Sequence, residues 1–314
     1  MGRYILRRVV ITIPTLVLLS FIIFAIVRVI PGDPVGVLLE KNQDPVLAAE
    51  LRRHYGLDQP LPVQYGRWMR DVLGGSFGRS MINGVPVSDL LAQRFPRSLW
   101  LMGGGVGVAL LIAVPVGLLA AARQNSWFDI LATGLVALLM SIPTFWIGIL
   151  YILLFAVQLH WLPATGFSDP FVDPWQFLKH MWLPWLTLGG TLAALTARIF
   201  RASLIEALAS DFTRTAAAKG LSSRRVILAH ACRNAAIPTV TVLGMEMGYL
   251  IGGAVVTERV FAYPGMGLFL VDAIFARDYP VIQAGLLVFA TAFVLMNLLT
   301  DIVIAVIDPR IRLG

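Results

Sequence analysis

The sequence predicts an all-α polytopic membrane protein with six transmembrane helices and both termini in the cytoplasm. Three observations support this. Hydrophobic residues make up 58% and charged residues only 14% of the 314 residues, where a soluble domain carries about 25% charged residues. The apolar residues gather into runs of roughly 18 or more, the length that crosses about 30 Å of hydrocarbon at 1.5 Å per residue. Lys and Arg concentrate in alternate connections between the runs, the asymmetry that sets orientation. A bundle of this kind is one folding unit, so residues 1–314 are read as a single transmembrane domain.

The spans fall at about 9–29, 99–121, 130–157, 183–198, 240–256 and 284–307. The basic start MGRYILRRVV resembles a signal peptide, but the apolar run up to Val29 is too long for an h-region. No small-residue cleavage site follows it, so it is read as a retained first helix. The fourth span is short and begins with Pro184, with Gly189 and Gly190 inside it. Small residues let helices approach closely in lipid, a role expected also of Gly103, Gly104, Gly105, Gly252 and Gly253.

Orientation follows from the basic residues. Arg3, Arg7 and Arg8 lie at the N-terminus, Arg123 in the 2–3 connection, and Arg310 and Arg312 at the C-terminus. Residues 198–238 hold seven Lys/Arg (Arg198, Arg201, Arg214, Lys219, Arg224, Arg225, Arg233) against Glu206 and Asp211, which is +5 of the net +7. Residues 158–182 and 257–283 carry only Lys179, Arg259 and Arg277. The long connection at 30–98 has eight Lys/Arg and seven Asp/Glu, and loops of that length translocate largely regardless of charge. It reads as an external subdomain. Asp44 caps a helix with Pro45 at its first position and Gly56 closing it; the amphipathic LPVQYGRWMRDVL and the turn-rich GGSFGRS follow.

Much chemistry is excluded. AAAKGLSS places Lys before Gly, so the phosphate-cradling GxxxxGK[ST] order is missing. The four histidines (54, 160, 180, 230) show no metal-ligand spacing. One cysteine, Cys232, excludes an internal disulfide and a thiolate cluster. No nucleophile motif is present. No catalytic residue, cofactor or metal is expected, and the net charge is explained by topology without nucleic acid.

Ionisable residues inside spans are costly and point to function. Arg28 lies at the outer end of span 1 and can snorkel, and Asp301 in the inner half of span 6 is expected to be paired or near the interface. Glu246, in VLGMEMGYLIGG, has two readings: a group on a water-filled path that meets a cationic substrate end, or a structural hydrogen bond to a neighbouring helix or second subunit.

The segment RTAAAKGLSSRRVILAHACRNAAIP, 214–238, reads as two short helices. Asp211 or Ser210 caps the first, FTRTAAAK, which Gly220 ends. Ser222 caps the second, RRVILAHACRNAA, which Pro238 stops. Ala216, Ala217 and Ala218 make the first helix narrow, while Arg214 and Lys219 charge it, a form suited to insertion into a cleft on an acidic partner. Basic residues that only fix topology and touch anionic lipid are the competing reading.

The spacing DFTRTAAAKGLSSRRVILAHACRNAAIP resembles the EAA-type cytoplasmic loop of binding-protein-dependent ABC importer permeases. The chain is similar in particular to the B-type subunit of the dipeptide/oligopeptide/nickel class. Further motifs in order carry the resemblance across nearly the whole length: YILRRVVITIPTLVLLSFIIFAIVRVIPGDP, YGLDQPLPVQY, SIPTFWIGIL, LHWLPATGF, GGAVVTERVFAYPGMG and ARDYP.

The resemblance implies a type I permease-like bundle in the bacterial inner membrane that forms half of a translocation path with a second, homologous permease subunit. Two ATPase subunits, which would bind the ATP and Mg, drive it, and an extracytoplasmic solute-binding protein delivers di- or oligopeptides. Nickel, glutathione or oligosaccharide are alternatives within the class, and a stand-alone ion-coupled transporter is the rival outside it. Within a 199–238 coupling loop, Asp211, Arg214, Thr215, Ala216, Ala217, Lys219 and Gly220 would seat in an ATPase cleft. The motif's leading Glu is here Arg214, so that Glu's contact does not transfer. Gly75-Ser76-Phe77-Gly78 stands where the family often has Gly-Asp-Leu/Phe-Gly. TERVFAYPGMG, with Glu258, Phe261, Tyr263, Pro264 and Gly265, is expected either at an outer gate or binding-protein seat, or as a turn packing on the external subdomain.

Overall fold

The computed structural model describes residues 2–29, 45–54 and 58–307. Among these, the long elements are helices: α1 (Gly2–Val29), α2 (Pro45–His54), α3 (Leu61–Leu73), α4 (Val87–Ala122), α5 (Trp127–Ser141) and α6 (Thr144–Tyr151). A π-helical stretch, Ile152–Gln158, continues α6. Then come α7 (Pro174–Ala209), α8 (Asp211–Ala218), α9 (Ser223–Arg225) with a second π stretch at Val226–Ala231, α10 (Cys232–Val260), α11 (Met266–Phe275) and α12 (Tyr279–Ile307). Asp44 and Gly56, expected to bound α2, lie outside the described residues.

Among the described residues, four helical stretches are long and apolar enough to cross a membrane: Arg8–Arg28, Val87–Ala122, Ser223–Met247 and Tyr279–Ile307. The expected third span is not one straight helix. It is the pair Trp127–Ser141 and Thr144–Gln158, whose halves meet at 103°. Ile142 is extended (φ −96°, ψ 131°) because the ring of Pro143 disfavours the helical region for the residue before it. The expected fourth span does not begin at Pro184. Residues 183–198 are instead the middle of the 36-residue α7, which is not among those four stretches and is capped by Asp173, whose carboxylate accepts from the Gln176 N–H at 3.0 Å, with Pro174 in the first turn. Nor does Pro238 stop a helix: it lies inside α10, where the lost N–H removes one bond without ending the coil. Membrane helices tolerate such prolines because neighbours satisfy the freed carbonyl.

The described chain divides into two compact units, one built on Leu99–Pro264 with α12 from Leu295 onward, the other on Arg7–Ser98 and Gly265–Val294. In the first, α7 buries Met181, Leu183, Thr187, Leu188, Leu192 and Leu204. Close approach to α4 needs three of the glycines. A Cβ at Gly104 would overlap the Trp185 indole, one at Gly105 would crowd Leu188, and one at Gly189 would lie 2.6 Å from the Gly105 carbonyl oxygen. Gly103 faces open space, and Gly190 comes no nearer than 4.0 Å to a neighbour, the Tyr151 hydroxyl, so neither makes such a contact. The side chains around Gly252 and Gly253 are outside the described set.

In the second unit, Val27 of α1, Val87 and Leu91 of α4, Met266 and Leu270 of α11, and Val281 of α12 form one apolar core. The Ser20 hydroxyl on α1 lies 2.9 Å from the Tyr65 hydroxyl on α3. Phe21 and Phe24 meet the Tyr65 ring edge-on at 5.6 and 5.5 Å. α1 also exposes Val10, Ile13, Val17 and Leu18, as contact with hydrocarbon requires.

Candidate functional site

The basic corner is built from the end of α7. Ala207, with Phe200, Leu204, Ala121, Ala231 and Ala235, forms an apolar cluster joining α7, α4 and the start of α10. Ser210 occupies the N-cap position of α8, yet its hydroxyl donates to the Ala207 carbonyl and not to α8. The expected caps from Ser210 and Ser222 are therefore absent as side-chain bonds. What pins α8 instead is Thr213. This buried hydroxyl lies 3.0, 2.9 and 2.7 Å from the carbonyl oxygens of Ala207, Leu208 and Ser210. Its single proton can serve one of these oxygens at a time, and the Ala207 and Ser210 carbonyls also accept from the Ser210 and Arg214 N–H groups.

Thr213 and Ala216 form the buried face of α8. Ala216 therefore holds the helix to its own chain and is not offered to a partner. Asp211, Phe212, Arg214, Thr215, Ala217, Ala218 and Lys219 are exposed. At 100° per residue, Thr215 and Ala218 stand nearly opposite the buried face. Asp211 and Arg214 form an exposed pair at 3.7 Å, of little stabilising weight. Gly220, at φ +82°, ends α8 as expected. Its N–H bonds to Ala217 and the Leu221 N–H to Ala216, the paired bonds of a Schellman motif.

One ion pair was missed from sequence. Arg201 on α7 forks onto Asp129 at the start of α5, with Nε–Oδ1 at 2.5 Å and Nη2–Oδ2 at 2.6 Å. Asp129 is buried and also accepts from the Asn125 N–H at 3.0 Å, so the α4–α5 corner is fastened to α7. The local spelling Ser126-Trp127-Phe128-Asp129 matches a capping box, and Ser126 does accept from the Asp129 N–H at 3.4 Å. That motif marks the helix start. The partner 72 residues away it does not reveal.

Glu246 lies midway along α10. Two residues earlier, Gly244 is in such close contact with Thr300 of α12 that a Cβ would overlap it. A separation of two residues is 200° around a helix, so Glu246 is turned away from α12. It lines a cavity of about 240 Å³ with Met140, Thr144, Leu188, Thr191 and Leu250. The Thr144 and Thr191 hydroxyls are 3.5 Å apart there. The bend at Pro143 brings Thr144 to this place.

The segment 257–267 is mostly interior. Glu258, Phe261 and Tyr263 are fully buried, Gly265 is buried and Pro264 is half-buried. Tyr263 packs edge-on against Phe167 at 5.5 Å, and the Phe261 carbonyl accepts from the Gly166 N–H at 3.1 Å. Ala262, at φ +46°, takes the left-handed position of a second Schellman motif, with Tyr263 N–H bonded to the Glu258 carbonyl at 2.7 Å. Buried side chains of this kind shape a turn and are not available as a docking surface. In the other unit, Ser80, within GGSFGRS, donates to Asp278, within ARDYP, which also accepts from the Met81 N–H at 3.1 Å. The Ser98 hydroxyl accepts from the Met266 N–H at 2.8 Å.

A family model described as "Binding-protein-dependent transport system inner membrane component" matches residues 113–313, and one for the N-terminal part of such membrane components matches residues 1–102. The glutathione transport system permease protein GsiC of Salmonella paratyphi A is 43% identical over 312 residues, 99% of each chain. The GsiC proteins of Salmonella typhimurium and Escherichia coli (strain K12) are 42% and 41% identical over the same 99% of each chain. With an all-helical described fold and matches along its whole length, the chain belongs to the binding-protein-dependent transport system inner membrane component family, as a multi-pass inner-membrane transport subunit of an ABC importer of the peptide/nickel class.

Proposed function

We propose that this subunit imports short peptides, with glutathione, itself a tripeptide, the favoured cargo. The near full-length identity of 43% to a permease named for glutathione carries that reading. The subunit forms half of a path with a second permease, receives cargo from a solute-binding protein and is driven by ATP hydrolysis on two partner subunits. α8 is the coupling helix. Its outer face supports this: small at Ala217 and Ala218, charged at Arg214 and Lys219, and apolar at the exposed Phe212. Thr213 and the Gly220 turn hold it rigidly to α7, so motion of a docked ATPase passes to the helices that line the Glu246 cavity.

Ala218→Trp tests the coupling, since it adds bulk outside the chain's own packing. In proteoliposomes holding the assembled complex, uptake of radiolabelled glutathione should fall at least about tenfold while ATP hydrolysis continues, the cost of about 1.4 kcal/mol in productive docking. Unchanged uptake with full assembly would remove α8 from the coupling route. Uptake of a disaccharide but of no peptide would refute the cargo.

A further inference from the structure

Two cavities in the Leu99–Pro264 unit share part of their walls beside α7. One, of about 260 Å³, is walled by apolar side chains of α4 and α5, with Gly190, Ala193, Ala194 and Ala197 of α7 among its lining. The other, of about 160 Å³, shares Val116, Ala132, Val136 and Ala197 with the first and adds Arg198, Arg201 and Thr133. The combined groove is a greasy slot that ends in two cations. Arg201 spends two of its three nitrogens on Asp129. Arg198, one turn back on the same face, is exposed and has no hydrogen bond or ion pair among the described residues. An exposed cation on such a helix is paired to water or to an anion. Here an apolar channel leads directly away from it.

We propose that this groove is a binding site for one anionic phospholipid, its phosphate on Arg198 and an acyl chain along the α5–α7 slot. The chemistry of both halves is met by one molecule. The small side chains of α7 leave the slot open, and the neutralised Arg201 leaves Arg198 as the phosphate-recognising group. Basic pockets between helices on the cytoplasmic side suit lipid headgroups, and the neighbouring 199–238 segment is the basic connection that orientation rules place on that side. A bound lipid would brace α5 against α7 next to the Asp129–Arg201 pair, behind the coupling corner.

The test is native mass spectrometry of the full chain released from membranes of phosphatidylethanolamine and phosphatidylglycerol. Wild-type protein should retain phosphatidylglycerol. Arg198→Gln should retain about fivefold less, the weight of one basic residue near an anionic surface, while Arg198→Lys keeps most of it. Ala194→Trp, which fills the slot, should lose the lipid with Arg198 intact. Equal retention in Arg198→Gln and wild type would overturn the proposal. So would displacement of the lipid by millimolar inorganic phosphate alone, which would mark a free-phosphate site, or disulfide cross-linking of a cysteine at Leu135 to a second permease helix, which would mark a protein interface.

Discussion

At the scale of single residues, the Asp129–Arg201 fork and Glu246 carry different kinds of weight. Asp129 is buried while Arg201 keeps part of its side chain in contact with the surroundings. Asp129→Ala leaves Arg201 uncompensated and should cost about 3 kcal/mol, read as a lowered melting temperature of the detergent-solubilised protein. The double variant Asp129→Leu, Arg201→Met should recover much of that loss, since an apolar pair of similar volume replaces a desolvated ion pair without penalty. Glu246 lines the cavity of about 240 Å³, and we propose that it recognises cargo there. Glu246→Gln in the assembled importer should raise KM about tenfold for a peptide with a free amino terminus and leave an N-acetylated peptide unaffected, as expected for loss of one charge-assisted hydrogen bond. An equal effect on both cargoes would return Glu246 to a structural role.

At the scale of elements, helix ends show what could and could not be read in advance. α3 and α8 end at Gly75 (φ +81°) and Gly220 (φ +82°), where glycine announces the left-handed turn. α10 and α11 end in the same motif at Ala262 (φ +46°) and Arg277 (φ +55°), which no propensity rule selects. Because a side chain strains that conformation, Arg277→Gly should stabilise the protein by about 0.5–1 kcal/mol net, checked by thermal melting, whereas Gly220→Val should destabilise it and loosen α8. Proline misled in both directions. Pro184 and Pro238 looked like boundaries and lie inside helices, because lipid offers no water to compete for the backbone. Pro143 looked like part of a continuous span and breaks it, since the preceding Ile142 is forced into an extended conformation. The corner around α8, the proposed coupling helix, was legible in outline from its small residues and Gly220. Its inner face was not, because Thr213 acts through carbonyls of the preceding helix and Ala216 is buried by tertiary packing.

At the scale of the whole molecule, composition and charge placement point to a membrane bundle, and the motifs identify an importer subunit. The turn 257–267 was open between an outer gate or binding-protein seat and a turn packing on the external subdomain, and Tyr263 and Phe261 are buried. A cysteine at Tyr263 should therefore resist a membrane-impermeant thiol reagent in the assembled complex, while one at Ala218 should react until the ATPases dock. The proposed function requires that this chain move cargo only through a motor held on separate subunits. Proteoliposomes containing the chain with its second permease and two ATPases, supplied with binding protein and glutathione, should accumulate glutathione when ATP is provided on the ATPase side. The chain alone should show no flux under any imposed ion gradient; gradient-driven glutathione uptake by the single chain would refute the proposed function.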